Sequence, residues 1–211
     1  MIKAIFLDLD GVCIDACNWH FISLNKALQQ LCNYSIDYND HITNFNGLPT
    51  KVKLSILEQR GIISQSQFDQ IFNLKQQYTK ETILENAHID YYKIQLHEKT
   101  KSMGIISACI TNAIRETAEL MLKSTGQLEY MDFLITNEDV QNNKPAPDCY
   151  LKAIEKVNLQ KNEILIVEDS PKGYQAAIAS GCHVLKVNNC YDVTFERILF
   201  EIIKIEEYIQ C

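Results

Sequence analysis

Short apolar runs, rich in Ile, Val and Leu and without polar alternation, constrain this chain more than any other feature. They span Ile2–Leu7, Gly104–Ile110, Phe133–Thr136, Ile164–Val167 and Cys182–Val187. A strand that faces water on one side alternates, whereas one covered on both faces does not, so these runs suit a parallel sheet sandwiched between helices. The segments between them carry a helical period. Ala118, Met121 and Leu122 share one side of Arg115–Lys123, and Leu151, Ile154 and Val157 recur at spacings of three in Asp148–Val157. Gly173–Ser180 is Ala-rich, and Phe195–Ile209 sets Ile198, Leu199, Ile202 and Ile205 against Glu and Lys. Strands alternating with helices of this length imply right-handed crossovers and a doubly wound α/β sheet.

One stretch breaks the alternation. From Asp15 to His88 there is no convincing strand. Leu24, Ala27, Leu28 and Leu31 recur at helical spacing, as do Val52, Leu54, Ile56 and Leu57, then Phe68, Ile71, Phe72 and Leu74. The expectation is an α/β core made of residues 1–14 and 89–211, with a helical domain of residues 15–88 inserted after the first strand.

Composition narrows the function classes. With 46% hydrophobic and 22% charged residues in 211, the chain can bury a core. Its net charge of -7 argues against a broad nucleic-acid or anionic-membrane surface, but leaves room for a small anionic substrate in a local site. Eight cysteines are scattered at 13, 17, 32, 109, 149, 182, 190 and 211 without a CxxC pair. No secretory signal opens the sequence, so reduced thiols are expected, with Cys109 and Cys182 as small hydrophobes. No apolar run approaches the roughly 20 residues that span a bilayer. These features predict a soluble cytoplasmic protein without nucleic-acid or membrane partners, and nothing demands more than a monomer.

In an open α/β sheet, ligands bind at the carboxyl ends of the strands. After the first run comes Asp8-Leu9-Asp10-Gly11-Val12. Two residues apart in extended backbone, Asp8 and Asp10 project to the same side. Adjacent carboxylates repel unless a cation or shared proton intervenes, and an all-oxygen ligand set suits Mg²⁺. After the second run, Thr111-Asn112 offers a hydroxyl and backbone N–H groups for a phosphate, or simply a helix cap. Lys144, in Asn143-Lys144-Pro145-Ala146-Pro147-Asp148, supplies positive charge, or the phrase is a rigid turn into a helix. Glu168-Asp169-Ser170 after the fourth run is a second acidic pair, or a surface loop. Each alone has the simpler explanation; all in this order, each behind its own strand, argue for a shared site.

With these residues the chain resembles the haloacid dehalogenase-like hydrolase superfamily over essentially its whole length. Asp8-Leu9-Asp10-Gly11 is similar to that superfamily's first motif, Thr111 to its second, Lys144 to its third and Glu168-Asp169 to its fourth. Val167-Glu168-Asp169-Ser170 with Gly173, Ala176-Ala177 and Ser180-Gly181 extends the match. The resemblance implies a Rossmann-like, doubly wound parallel sheet with an α-helical C1 cap, in the branch of β-phosphoglucomutase and phosphoglycolate phosphatase-like enzymes. It implies that Asp8 is the nucleophile, giving an aspartyl-phosphate, and that Asp10 is the acid and then the base. Phosphoryl binding falls to Asp8, Leu9, Asp10, Thr111, Asn112 and Lys144, with Thr111 and Lys144 counted among the catalytic groups. Mg²⁺ falls to Asp8, the Asp10 backbone carbonyl, Glu168 and Asp169. Because Asp10 is present, the resemblance disfavours a dehalogenase or phosphonatase and implies a small phosphorylated metabolite as substrate.

The same resemblance assigns substrate contacts in the cap. Asn46-Gly47-Leu48-Pro49-Thr50-Lys51 is similar to the branch's substrate loop, with Gly47, Thr50 and Lys51 as candidates, although it is also a turn with an N-cap. His20 occupies a position where mutases use a histidine; it is also a plain helix-face histidine. Val12 leans toward the mutases and Thr111-Asn112 toward the phosphatases. Arg60 is the only arginine of the 15–88 segment, and none lies in the loop around Thr50 to grip a second phosphate. A phosphomonoester hydrolase is therefore expected first, a phosphosugar mutase second, and a non-catalytic phosphate-binding protein last.

Overall fold

The computed structural model describes residues 1–210, so Cys211 lies outside the described residues. The chain divides into two compact units, one of Met1–Asp15 with the residues from His88 onward, the other of Ala16–Ala87.

The first unit is built on five parallel strands, β1 (Ala4–Leu7), β2 (Ile106–Ile110), β3 (Phe133–Ile135), β4 (Ile164–Glu168) and β5 (His183–Lys186), in the order β3-β2-β1-β4-β5. Every residue of β1 and β4 is buried, as unalternating central strands require. Phe6 stands opposite Ala108 on one side and Ile166 on the other. One face carries Ala4, Phe6, Ala108, Ile110, Ile164 and Ile166, packed on Tyr150, Ala153, Ala176 and Ala177 from two flanking helices. The chain steps outward from β1 through β2 to β3, then returns to start β4 on the other side of β1. That reversal puts the carboxyl ends of β1 and β4 side by side, the crevice where such sheets take ligands.

Three longer helices and two short pieces make up most of the second unit. It runs α1 (Cys17–Cys32), α2 (Tyr38–Asp40) leading into a π-turn at His41–Phe45, α3 (Thr50–Gln59) and α4 (Phe68–Asn86). Its core is Leu24, Ala27, Leu28, Ile36, Phe45, Leu54, Leu57, Ile63 and Ile71. Three of the four Leu and Ala positions read from α1 are fully buried; Val52, by contrast, is 42% exposed. Asp37 starts α2 by accepting from the Asn39 and Asp40 N–H groups.

Back in the first unit the chain continues through α5 (Tyr91–Ser102), α6 (Arg115–Ser124), α7 (Asp148–Val157), α8 (Pro171–Ser180) and α9 (Phe195–Gln210). Two of these depart from the sequence reading. Helix α5 escaped it because its buried side is Lys93, Leu96, His97 and Thr100, a face with almost no hydrophobic signal. The Lys93 ammonium is held there by the Cys190 and Val193 carbonyls at 2.6 and 2.9 Å. In α7 the buried residues are Cys149, Tyr150 and Ala153, while Leu151 is 41% exposed. Steps of three fall about 60° short of a helical turn, so a row so spaced slides off the face it started on. The seven described cysteines are all free, Cys109 buried and Cys182 half-buried. Among the described residues, no helix is long and apolar enough to cross a membrane.

Candidate active site

Asp8 is the first residue past β1, held in line by its N–H to the Val167 carbonyl at 3.1 Å. The chain then turns sharply. Gly11 has φ +86°, and Leu9 O accepts from the Cys13 and Ile14 N–H groups, both at 3.0 Å. A side chain at Gly11 would collide with the Asp169 carboxylate as well as strain the backbone, so glycine is required twice over. Leu9 itself is buried, and Asp10 is half-buried and bridged to Ile14.

Lys144 reaches this point from the loop before α7. Its ammonium donates to Asp8 Oδ1 at 2.7 Å, to the Ile110 carbonyl at 2.7 Å and to Glu168 Oε1 at 2.6 Å. An ammonium has three N–H bonds, and here all three have acceptors. Asn112 fixes the lysine's backbone from both sides: its Oδ1 accepts from Lys144 N at 3.0 Å and its Nδ2 donates to Lys144 O at 3.2 Å. The Asn112 amide thus serves Lys144, which leaves its backbone as the part that can face a phosphate. Thr111 is buried, and its hydroxyl accepts from Ala113 N at 3.0 Å within its own turn. It does not cap α6, which starts at Arg115 without a side-chain cap.

Glu168 ends β4 and is fully buried. Besides Lys144 it accepts from the Tyr150 hydroxyl, on Oε1 at 2.6 Å, and from Ser170 Oγ, on Oε2 at 3.4 Å. Ser170 also caps α8, accepting from Gly173 N at 3.0 Å. A side chain at Gly173 would run into the Glu168 carboxylate, so α8 approaches this closely only with glycine there. Tyr150 was not singled out by the sequence reading, though a tyrosine on a buried helix face needs a partner for its hydroxyl, and that was the available signal. Its ring lies 4.8 Å from the Lys144 ammonium.

Burial pushes the Asp8 carboxyl well above its usual range; Lys144 opposes this, while Glu168 and Asp10 add to it. Burial alone would lower the Lys144 ammonium, but Asp8 and Glu168 overrule it and hold it well above its ordinary value. Tyr150 is raised well above the ordinary phenol value by burial and, despite Lys144, by the nearby carboxylates, so it stays protonated and donates. Asp169 is pushed up to about 6, by burial first and then by Glu168.

These residues fit a divalent cation. Carboxylate oxygens of Asp8, Glu168 and Asp169 lie within 4.8 Å of one another. Asp169 Oδ1 is buried with no hydrogen-bond partner among the described residues. Three carboxylates face one ammonium, and an all-oxygen donor set with surplus negative charge is what a hard cation neutralises.

The remaining candidates lie in the helical unit. His20 is on α1, Gly47 (φ +70°) precedes α3 in open space, Thr50 is the first residue of α3, and Lys51 is exposed.

The model of a protein family described as haloacid dehalogenase-like hydrolase matches residues 5–187 of the sequence. The chain belongs to this family. Among relatives of this hydrolase, one provisionally named pyrophosphatase PpaX, from Caldanaerobacter subterraneus subsp. tengcongensis, is 30% identical over 88% of this chain and 81% of its own. The phosphorylated carbohydrates phosphatase of Thermotoga maritima is 25% identical over 85% of this chain and 82% of its own. The crystal structure of β-phosphoglucomutase from Clostridium difficile superposes with a TM-score of 0.81 over 100% of both chains at 21% identity, a likeness of fold. The five-stranded parallel sheet with its inserted helices is shared with that structural neighbour.

Proposed function

We propose that this hydrolase cleaves phosphomonoesters of small phosphorylated metabolites, sugar phosphates among them, with Mg²⁺ as cofactor. The observation that carries the reading is the buried cluster in which Lys144 joins Asp8 to Glu168 beside the unpartnered Asp169 oxygen. The names of the curated relatives, a carbohydrate-phosphate phosphatase and a pyrophosphatase, support the phosphoryl chemistry.

Asp8 attacks phosphorus in line, the bond from phosphorus to the ester oxygen breaks, and an aspartyl-phosphate remains. Asp10 gives its proton to the departing oxygen, then takes one from the water that attacks phosphorus and frees Asp8. Lys144, Thr111 and the Leu9, Asp10 and Asn112 backbones hold the phosphoryl oxygens while charge builds on them. Asp8, the Asp10 carbonyl, Glu168 and Asp169 would hold Mg²⁺, which when bound neutralises phosphoryl charge. The same reading makes the helical unit the substrate-selecting cap, with His20, Gly47, Thr50 and Lys51 as its contacts.

A panel of phosphomonoesters, assayed for phosphate release with and without Mg²⁺, tests this. Mg²⁺-dependent release is expected on sugar phosphates. Glucose 6-phosphate formed from β-glucose 1-phosphate in place of phosphate would make the enzyme a mutase instead, and no turnover at all would overturn catalysis.

The Asp169 carboxyl sets a pH dependence. Raised from 3.8 to about 6, it binds a proton in the folded metal-free protein across that interval. The metal-free fold is therefore relieved as pH falls through about 6, and Mg²⁺ must displace that proton. Calorimetric titration should show Mg²⁺ affinity falling by at least about tenfold per pH unit as pH drops below about 6. Affinity unchanged down to pH 5 would remove Asp169 from the ligand set.

A further inference from the structure

The Lys144 ammonium has no N–H to spare. Its three acceptors are Asp8 Oδ1, the Ile110 carbonyl and Glu168 Oε1, all within 2.7 Å. A phosphoryl oxygen can be bound by Lys144 only if one of these acceptors gives up its share. Of the two carboxylate acceptors, Glu168 Oε1 has a second side-chain donor at the same distance, the Tyr150 hydroxyl at 2.6 Å. A buried carboxylate oxygen tolerates losing one donor when another stays, and is strongly destabilised when left with none.

We infer that Tyr150 is a positioning residue whose hydroxyl holds Glu168 Oε1 so that Lys144 can turn an N–H from Glu168 to the substrate's phosphoryl group. The inference rests on the phosphoryl-transfer reading above and adds to it a residue outside the motifs. Tyr150 touches neither the reacting atoms nor, in this role, the substrate. It acts through Glu168 on Lys144. The hydroxyl lies at the inner end of a fully buried ring whose position is set by the packing of α7 on Phe6, Ile110 and Ile166. It therefore cannot follow Glu168 if the carboxylate shifts, and serves as a fixed anchor.

The test is Tyr150→Phe, which keeps the ring, its packing and its contact with the ammonium and removes only the hydroxyl. In the variant, Lys144 must stay on Glu168 or leave its Oε1 without a donor, so a phosphoryl group competes less well. Calorimetry with inorganic phosphate in Mg²⁺ buffer should show binding about tenfold weaker than in the parent. The KM of the best ester should rise by a similar factor while kcat changes less, the signature of lost uniform binding.

Ala153→Gly, one turn along α7 and fully buried, is the comparison, since it loosens the same helix without touching the network. It should lower the unfolding temperature and leave phosphate binding within twofold. Unchanged phosphate affinity in Tyr150→Phe, or equal weakening in both variants, would overturn the inference and leave the phosphatase reading standing. A parent protein that neither binds phosphate nor hydrolyses any ester would overturn both.

Discussion

Asp8→Asn is expected to abolish turnover, by about 10⁴-fold or more, in a protein that folds no less stably than its parent. The amide has the carboxylate's shape and its oxygen can still accept from Lys144, now 2.7 Å from Asp8 Oδ1. What it lacks is the charge and nucleophilicity needed to attack phosphorus, and losing a covalent nucleophile costs most of an enzyme's rate advantage. The stability half of the prediction follows from the sign of the carboxyl's shift. Burial raises Asp8 well above 3.8, so its ionised form is disfavoured in the fold, and that penalty applies at every pH above the unfolded value. A neutral isostere removes the penalty. Phosphate release and thermal unfolding, both measured on the variant and the parent, check the two halves together, with unfolding read in chelator so that no metal contributes. Retention of more than about 1% of the parent rate would assign the nucleophile to another group.

Much of this site could be read from the sequence because its residues follow strands. Asp8 comes one residue after β1, Thr111 one after β2, and Glu168 closes β4, so finding the apolar runs located them. Lys144 stands nine residues past the end of β3, and its charge just ahead of a helix start pointed to it. What escaped was whatever depended on a third dimension. Tyr150 lies six residues past Lys144, yet it enters the site only because α7 turns Cys149, Tyr150 and Ala153 inward instead of Leu151. The service of the Asn112 amide to the Lys144 backbone links positions 32 residues apart, and no local pattern encodes it. Helix α5 failed for a different reason. Its inner face buries Lys93 and His97 with partners supplied from residues 190–193 and from Gln127, so hydrophobic periodicity had nothing to detect. Sequence patterning reports apolar burial well and paired polar burial poorly, and active sites consist largely of the latter.

Lys144→Met should be the most damaging single change to the fold itself, and the damage should shrink in acid. Methionine matches the unbranched stem of lysine, so the loss is that of the ammonium rather than of packing. Lys144 is 5% exposed and Glu168 is fully buried. Removing the cation leaves Asp8 and Glu168 facing one another without compensation, a situation that costs about 3–5 kcal/mol when one partner of a buried pair is deleted. For a chain of this length that corresponds to an unfolding midpoint lower by about 10 °C near pH 7.5. The way out for Asp8, already raised by burial and no longer opposed by Lys144, is to bind a proton, so in the variant the folded state holds more protons than the unfolded chain above pH 4. Its stability then falls as pH rises through that window and recovers as pH is lowered. The parent behaves oppositely at the other end of the scale. Its ammonium is held above 10.5, so the contribution of Lys144 is complete at neutral pH and is lost only in strong alkali. Unfolding midpoints of the metal-free proteins at pH 5 and pH 7.5 should therefore show a wide gap that narrows at the lower pH. A gap that is equal at both, or absent, would mean that the ammonium does not hold the two carboxylates together, and the geometric basis for placing the phosphoryl site there would fail with it.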